Sequence, residues 1–244
     1  GKENMSKSLD KFIKKGKLAA EDKNKILERV KTVEKYEDMA DANFVIEAVF
    51  ENIELKKSIF SSLDKICRDD CIIATNTSSI SITLLSTSVR KEKLGRFLGV
   101  HFFSPASVMK LVEVIPGLDT AGATVEEVMG LLRGIGKEPI KVKDVVGFAV
   151  NRIFHAMLIE ACRLLEEEVA SPEDIDKACK LGLGHPMGPY ELMDVLNNRL
   201  NLNVQEILYD AYGERFRPRP NLKQRVNANH LGRVTGRGWY DYSK

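Results

Sequence analysis

CIIATNTSSI, residues 71–80, sets an apolar run ahead of the polar cluster Asn76, Thr77, Ser78 and Ser79. A short run rich in β-branched residues, closed by turn formers, reads as a buried strand ending in a polar turn. The pattern also occurs upstream. Residues 43–49 read as a strand, and residues 53–67 as a helix, because Leu55, Ile59, Leu63 and Ile66 fall on one stripe. Downstream, 97–103 and 111–115 are apolar enough for buried strands, and 139–142 adds a fifth after a helix over 124–135. Strands alternating with helices predict a mainly parallel sheet covered on both faces, with ligands beyond the carboxyl ends of the strands. The turn at 76–79 lies at such an end. Asn, Ser and Thr also bond to their own backbone in ordinary turns, so this turn by itself decides little.

Ahead of the sheet, residues 7–33 read as two short charged helices around Lys15, Gly16 and Lys17, a solvated cover. After Gly147 the texture changes, and Val150, Ile153, Phe154, Met157, Leu158, Ala161, Leu164 and Leu165 keep a helical period. Ser171 with Asp174 forms a capping signal, with Pro172 at the first helical position. Further helices are predicted near 189–196, 204–211 and 222–229. The change near Asp144 divides the chain into an α/β part, 1–144, and an all-α part, 145–244.

The 244 residues are 43% hydrophobic and 30% charged, and 37 Lys plus Arg nearly balance 35 Asp plus Glu. A net charge of +2 makes no case for a nucleic-acid partner. Arg215, Arg217 and Arg219, interleaved with prolines, read as a solvated loop rather than an RNA-binding arm. The longest uncharged stretch, 71–89, is dense in Ser and Thr, so no membrane span is expected. Cys67, Cys71, Cys162 and Cys179 include no CxxC pair, and neither they nor His155, His185 and His230 show metal-ligand spacing. A reduced cytoplasmic protein without metal or targeting signal is the expectation. Tyr190, Trp239 and Tyr240 are read as core or subunit-contact residues.

His101 and Glu113 each sit inside an apolar strand. A lone histidine there is more often a satisfied core residue, and a buried glutamate is costly unless paired. Two expensive residues in neighbouring strands suggest that they pair. The carboxylate would then hold one imidazole nitrogen and leave the other free to take a proton. Ser78 and Asn151, at the start of the long helix, would supply hydrogen-bond donors to a substrate oxygen.

The strings IEAVFENIELK, ATNTSSISI, GVHFFSPASVMKLVEVI, VVGFAVNRI, GHPMGPYELMD and GRGWYDY resemble the L-3-hydroxyacyl-CoA dehydrogenases over almost the whole chain, particularly the bacterial 3-hydroxybutyryl-CoA dehydrogenases. The resemblance implies reversible oxidation of the 3-hydroxyl of an acyl-CoA to a ketone, with NAD as cofactor. It makes His101 the catalytic base and Glu113 its partner, with Ser78, Asn151 and Ser104 on the substrate. Glu51 and Lys56 would approach the cofactor ribose, and Asn76 would line the cofactor cleft. It further implies a Rossmann-like doubly wound sheet and a homodimer formed through the carboxyl-terminal helices.

Three features depart from the family pattern. No GxGxxG turn precedes residue 43, so the sheet is expected to be incomplete, lacking its amino-terminal phosphate-binding segment and exposing strand edges. Ser104 stands where the family usually has Asn, which shortens the reach to substrate. Residues 196–203 depart from the usual turn, and the interval from Ser78 to His101 is slightly long. The alternative is a truncated, non-catalytic relative serving as a structural or dimerisation protein.

Overall fold

The computed structural model describes residues 1–243. Two helices with no buried residue come first, α1 (Lys2–Lys14) and α2 (Asp22–Glu28), as the charged pattern predicts. One sheet follows, its strands lying side by side in chain order: β1 (Phe44–Glu47), β2 (Ile72–Thr75), β3 (Phe97–Phe102), β4 (Leu111–Pro116) and β5 (Glu138–Lys141). Helix α3 (Ile53–Ile66) connects β1 to β2, α4 (Ile82–Ser86) lies between β2 and β3, and α5 (Gly122–Gly134) connects β4 to β5.

The pairs β1–β2, β2–β3 and β4–β5 are parallel, whereas β3 and β4 are antiparallel. The sheet is thus mainly parallel, as expected, with one reversal. Its cause is local. Residues 103–110 alone join β3 to β4, and a parallel crossover needs about a dozen residues or more.

Side-chain alternation assigns the two faces. Ile73, Phe97 and Ile115 pack with Ile59, Phe60 and Leu63 of α3 and with Ile82 and Leu85 of α4. Ile72, Ala74, Leu98, Val100, Val112 and Val114 pack instead on Val125, Val128, Met129 and Leu132 of α5. By the period of two, His101 shares a face with Phe97 and Gly99, and Glu113 shares the same face with Ile115. Gly99 has a steric reason to be glycine: a Cβ there would lie 2.6 Å from Ile82 Cδ1. Its absence lets α4 sit close against β3. β1 forms an edge of the sheet, and Ile46, Val49 and Phe50 beside it are exposed.

The remainder is helical: α6 (Val150–Glu166), α7 (Pro172–Gly182), α8 (Pro189–Leu196), α9 (Asn198–Tyr212) and α10 (Pro220–Asn227). Their core includes Leu158, Cys162, Ile175, Tyr190, Met193, Leu222 and Trp239. Ser171 Oγ accepts from Asp174 N at 3.1 Å, the cap predicted for α7. Buried Asp176 accepts from Tyr190 N, Glu191 N and the Tyr240 hydroxyl, and buried Asp194 accepts from Trp239 N and Tyr240 N. Tyr190, Trp239 and Tyr240 are thus packing residues.

Helix α9 starts well before the predicted residue 204, because its first turns are polar and buried. Asn198 Nδ2 donates to Asp194 Oδ1, and Asn201 Nδ2 donates to the Met193 carbonyl. A reading keyed to apolar periodicity has no means of seeing a buried stripe of amides. The arginine run is engaged with its own surface: Arg217 pairs with Glu214, Arg219 with Glu166, and Arg215 lies over the rings of Tyr212 and Phe216. Among the described residues no helix is long and apolar enough to cross a membrane.

Candidate active site

The antiparallel β3–β4 pair sets His101 directly opposite Glu113. Both side chains lie on one face, and His101 Nδ1 is 2.8 Å from Glu113 Oε2. Glu113 is fully buried and His101 is 5% exposed, so the pair is shielded from water. The other Glu113 oxygen, Oε1, accepts from Ala149 N and Val150 N, each at 3.0 Å, at the start of α6. Burial pushes the Glu113 carboxyl upward, but the His101 ring and these two backbone donors outweigh it and hold the group below its ordinary value. An ionised carboxylate only accepts hydrogen bonds, so Nδ1 of His101 carries the proton of that contact, and Nε2 is the ring nitrogen left to exchange a proton with a ligand. Ser78 Oγ lies 3.2 Å from that Nε2. The phenyl rings of Phe103 and Phe148 flank the imidazole at centroid distances of 4.7 and 5.7 Å.

Ser78 owes its position to the turn after β2. Glu51 Oε1 accepts from the backbone N–H groups of Ser78 and Ser79 and from the hydroxyls of Thr77 and Ser79. Burial pushes the Glu51 carboxyl upward, and the Thr77 hydroxyl, the Lys56 ammonium, the Ser78 amide and the Ser79 hydroxyl pull it below its ordinary value. Thr77 Oγ1 accepts in turn from Ile80 N at 3.0 Å. The cluster that by itself decided little is a built turn, held from outside by a carboxylate.

The predicted residues do not all stand alike. His101, Glu113 and Ser78 are joined in one hydrogen-bonded chain. Asn151 is half-buried at the start of α6, next to the Val150 amide that Glu113 holds. Asn76 links the ends of β2 and β3, its Oδ1 accepting from Phe102 N at 2.8 Å, which leaves its amide group for a ligand. Ser104 is exposed, two residues beyond β3.

Lys56 differs from the expectation of a residue that approaches a ligand. Its ammonium is 1% exposed, bonded to both oxygens of Glu47 at 2.7 and 2.9 Å, and 3.3 Å from Glu51 Oε2. Its route to the cleft runs through Glu51, which is 38% exposed. Glu47, missed in the sequence, also accepts from the Thr75 hydroxyl and Val49 N. The signal that flagged Glu113, a carboxylate inside an apolar strand, was present for Glu47 too. Also missed was a groove lined by Ser8, Lys11, Phe12 and Lys15 of the α1 segment with Pro105, Ser107 and Val108. It places ammonium groups beside the connection that carries Ser104.

This architecture has known counterparts. Residues 1–145 match the family model described as 3-hydroxyacyl-CoA dehydrogenase, NAD binding domain, and residues 147–242 match the model of the C-terminal domain. The first match starts at residue 1, and it does not support the expectation that an amino-terminal fingerprint is missing. A 3-hydroxybutyryl-CoA dehydrogenase of Clostridioides difficile is 42% identical over 98% of this chain and 85% of its own length. A 3-hydroxyadipyl-CoA dehydrogenase of Escherichia coli is 41% identical over 96% of this chain and 49% of its own. The crystal structure of an (S)-3-hydroxybutyryl-CoA dehydrogenase from Ralstonia eutropha superposes with a TM-score of 0.93 at 45% identity, covering 98% of this chain and 84% of that one. With an NAD-binding domain joined to the matching helical domain, the chain belongs to the 3-hydroxyacyl-CoA dehydrogenase family of oxidoreductases.

Proposed function

We propose that the chain interconverts an L-3-hydroxyacyl-CoA, 3-hydroxybutyryl-CoA first among them, and the 3-ketoacyl-CoA, using NAD(H), within fatty acid or butanoate metabolism. The observation that carries this reading is the His101 imidazole, held by Glu113 at Nδ1 and met by Ser78 at Nε2. In the oxidative direction Nε2 takes the proton of the substrate 3-hydroxyl while C3 gives up its hydride. Glu113 then faces an imidazolium, whose charge it stabilises. In the reductive direction the imidazolium returns the proton to the nascent alkoxide. The Ser78 hydroxyl and the Asn151 amide donate to substrate oxygen and keep C3 within reach of the base. Phe103 and Phe148 exclude water from the imidazole.

NAD, when bound, supplies the acceptor for the hydride. The residues at the carboxyl ends of β1 and β2 suit its nicotinamide side: half-buried Asn76 has a free amide group, and Glu51 is partly exposed. Only the nicotinamide side of the cofactor is assigned to this set. The lysine-bearing groove suits the phosphates of the coenzyme A ester, and Ser104 lies along the chain between His101 and the groove residue Pro105.

A non-catalytic structural role finds no support in the geometry, because a buried carboxylate–imidazole pair is costly to keep without use. Exposed apolar residues of the helical region, Ile153, Leu181 and Leu183 among them, favour pairing of two copies there; a stable monomer in sedimentation at micromolar concentration would contradict that pairing.

The test is the loss of NADH absorbance with acetoacetyl-CoA, for the chain as it stands and for His101→Asn. Turnover is expected in the first and a loss of two to four orders of magnitude in the second, in line with the roughly 10²–10⁴-fold worth of a positioned general acid–base group. Equal turnover by the two proteins would overturn the assignment.

A further inference from the structure

The connection from β5 to α6, residues 142–149, is pinned to the sheet at both ends. Near its start Asp144 accepts three hydrogen bonds: Oδ1 from Ile82 N at 3.0 Å, and Oδ2 from Ser81 Oγ at 2.9 Å and Thr83 N at 2.8 Å. At its end Ala149 N and Val150 N donate to Glu113. Between the pins, Gly147 and Phe148 run left-handed at φ +75° and +45°, and this places the Phe148 ring beside His101. The backbone that Asp144 grips continues directly from the turn that carries Ser78. Thr77 Oγ1 binds Ile80 N, and Ser81 Oγ accepts from Leu84 N while donating to Asp144. That turn is therefore suspended between two carboxylates, Glu51 on the β1 side and Asp144 on the side of the helical domain.

We propose that Asp144 is a positioning residue: by clasping the backbone of residues 81–83 it holds the Ser78 hydroxyl in register with His101 Nε2. The clasp also ties that turn to the connection leading into α6, where Asn151 stands. A carboxylate suits the role because three donors converge on two acceptor-only oxygens, one taking Ile82 N and the other taking both Ser81 Oγ and Thr83 N. An amide in its place would turn an N–H toward one of the donors. As a contribution to turnover the inference rests on the function proposed above; as a statement about the Ser78–His101 contact it does not.

The test is a double-mutant cycle between Asp144→Ala and Ser78→Ala, read in two ways. The first readout is the ring ¹⁵N signal of His101, assigned among the four histidines by its loss in His101→Asn. Ser78→Ala is expected to shift the Nε2 resonance, Asp144→Ala to shift it in the same direction, and the double variant to match Ser78→Ala alone. The second readout is kcat with acetoacetyl-CoA. Asp144→Ala is expected to lower it about tenfold, as a displacement of well under an ångström would, and to cost less than twofold when Ser78 is already alanine. KM for NADH should change less than kcat.

An unmoved His101 signal, or losses that simply multiply in the double variant, would reduce Asp144 to an ordinary cap and overturn the proposal. Should Asp144→Ala fail to fold, Asp144→Asn and Ser81→Ala remove part of the clasp and are expected to give the same pattern at smaller amplitude. A coupled His101 signal in a protein without turnover would uphold the clasp and sink the dehydrogenase reading; turnover without coupling would do the reverse.

Discussion

Glu113 joins the base to the helical domain: one oxygen of its carboxylate holds His101 Nδ1, and the other holds the first turn of α6 at Val150 N. The two bonds do different work. In the function proposed above the first stabilises an imidazolium, and the second holds the start of α6, where Asn151 stands. Glu113→Gln keeps a side chain of the same size, but its single carbonyl oxygen cannot serve both sets of donors. We expect kcat with acetoacetyl-CoA to fall by about two orders of magnitude or more and the alkaline limb of that reductive pH–rate profile to move to lower pH, because the imidazolium loses its counter-ion. An unshifted limb with a lowered kcat would assign Glu113 to helix placement alone.

Glu113 and pH are linked in stability as well. Its folded-state pKa lies below the ordinary value, so its contribution is fully present above the unfolded value and is lost as pH falls through the folded one. His155 adds to acid sensitivity from the other side. Burial on α6 pushes its pKa down from 6.5 to about 4, and Nδ1 has no hydrogen-bond partner among the described residues. The unfolded chain therefore takes up a proton that the folded chain refuses between pH 6.5 and about 4. Stability should drop by about 3 kcal/mol across that window. Urea titrations of wild type and His155→Leu at pH 7 and pH 4.5 check this. The variant should lose markedly less stability on acidification, and parallel losses would exclude His155 as the cause.

Much of this site was legible from cost alone. A histidine and a glutamate inside apolar strands are hard to explain unless they meet, and they do, through the antiparallel register that the short 103–110 connection enforces. The same rule applied evenly would have found Glu47, and with it the reason Lys56 is enclosed. Asp144 left no such trace, because an aspartate in a connecting segment is unremarkable until its three donors are seen. The helical half was less legible at α9, where Asn198 and Asn201 are buried by hydrogen bonding to neighbouring groups rather than by apolar character.

Lys56 and Glu47, each 1% exposed in its side chain, make a buried ion pair whose removal in halves should be worse than its removal whole. Lys56→Met leaves a carboxylate buried with only the Thr75 hydroxyl and Val49 N as partners. A loss of about 3–5 kcal/mol in urea unfolding is expected. Lys56→Met combined with Glu47→Gln should recover at least half of it. The single variant should also lower turnover, because Glu51 loses the cation behind it and the Ser78 turn loosens. A double variant no more stable than the single would show that the pair is not the unit that matters.

The groove between the α1 segment and the β3–β4 connection makes a prediction separable from the chemistry. Lys11 and Lys15 are exposed and line it with Phe12 and Pro105. Neither has an ion-pair partner among the described residues, whereas Lys7 and Lys23 do. Reversing one charge, Lys15→Glu, should raise KM for acetoacetyl-CoA several-fold with kcat nearly unchanged. Loss of an interaction that ground and transition states share acts on binding alone. The effect should shrink as ionic strength rises toward 0.5 M, because screening weakens attraction between exposed charges. A fall in kcat at unchanged KM would place the groove's influence on the dyad, and an effect indifferent to salt would remove charge as its origin.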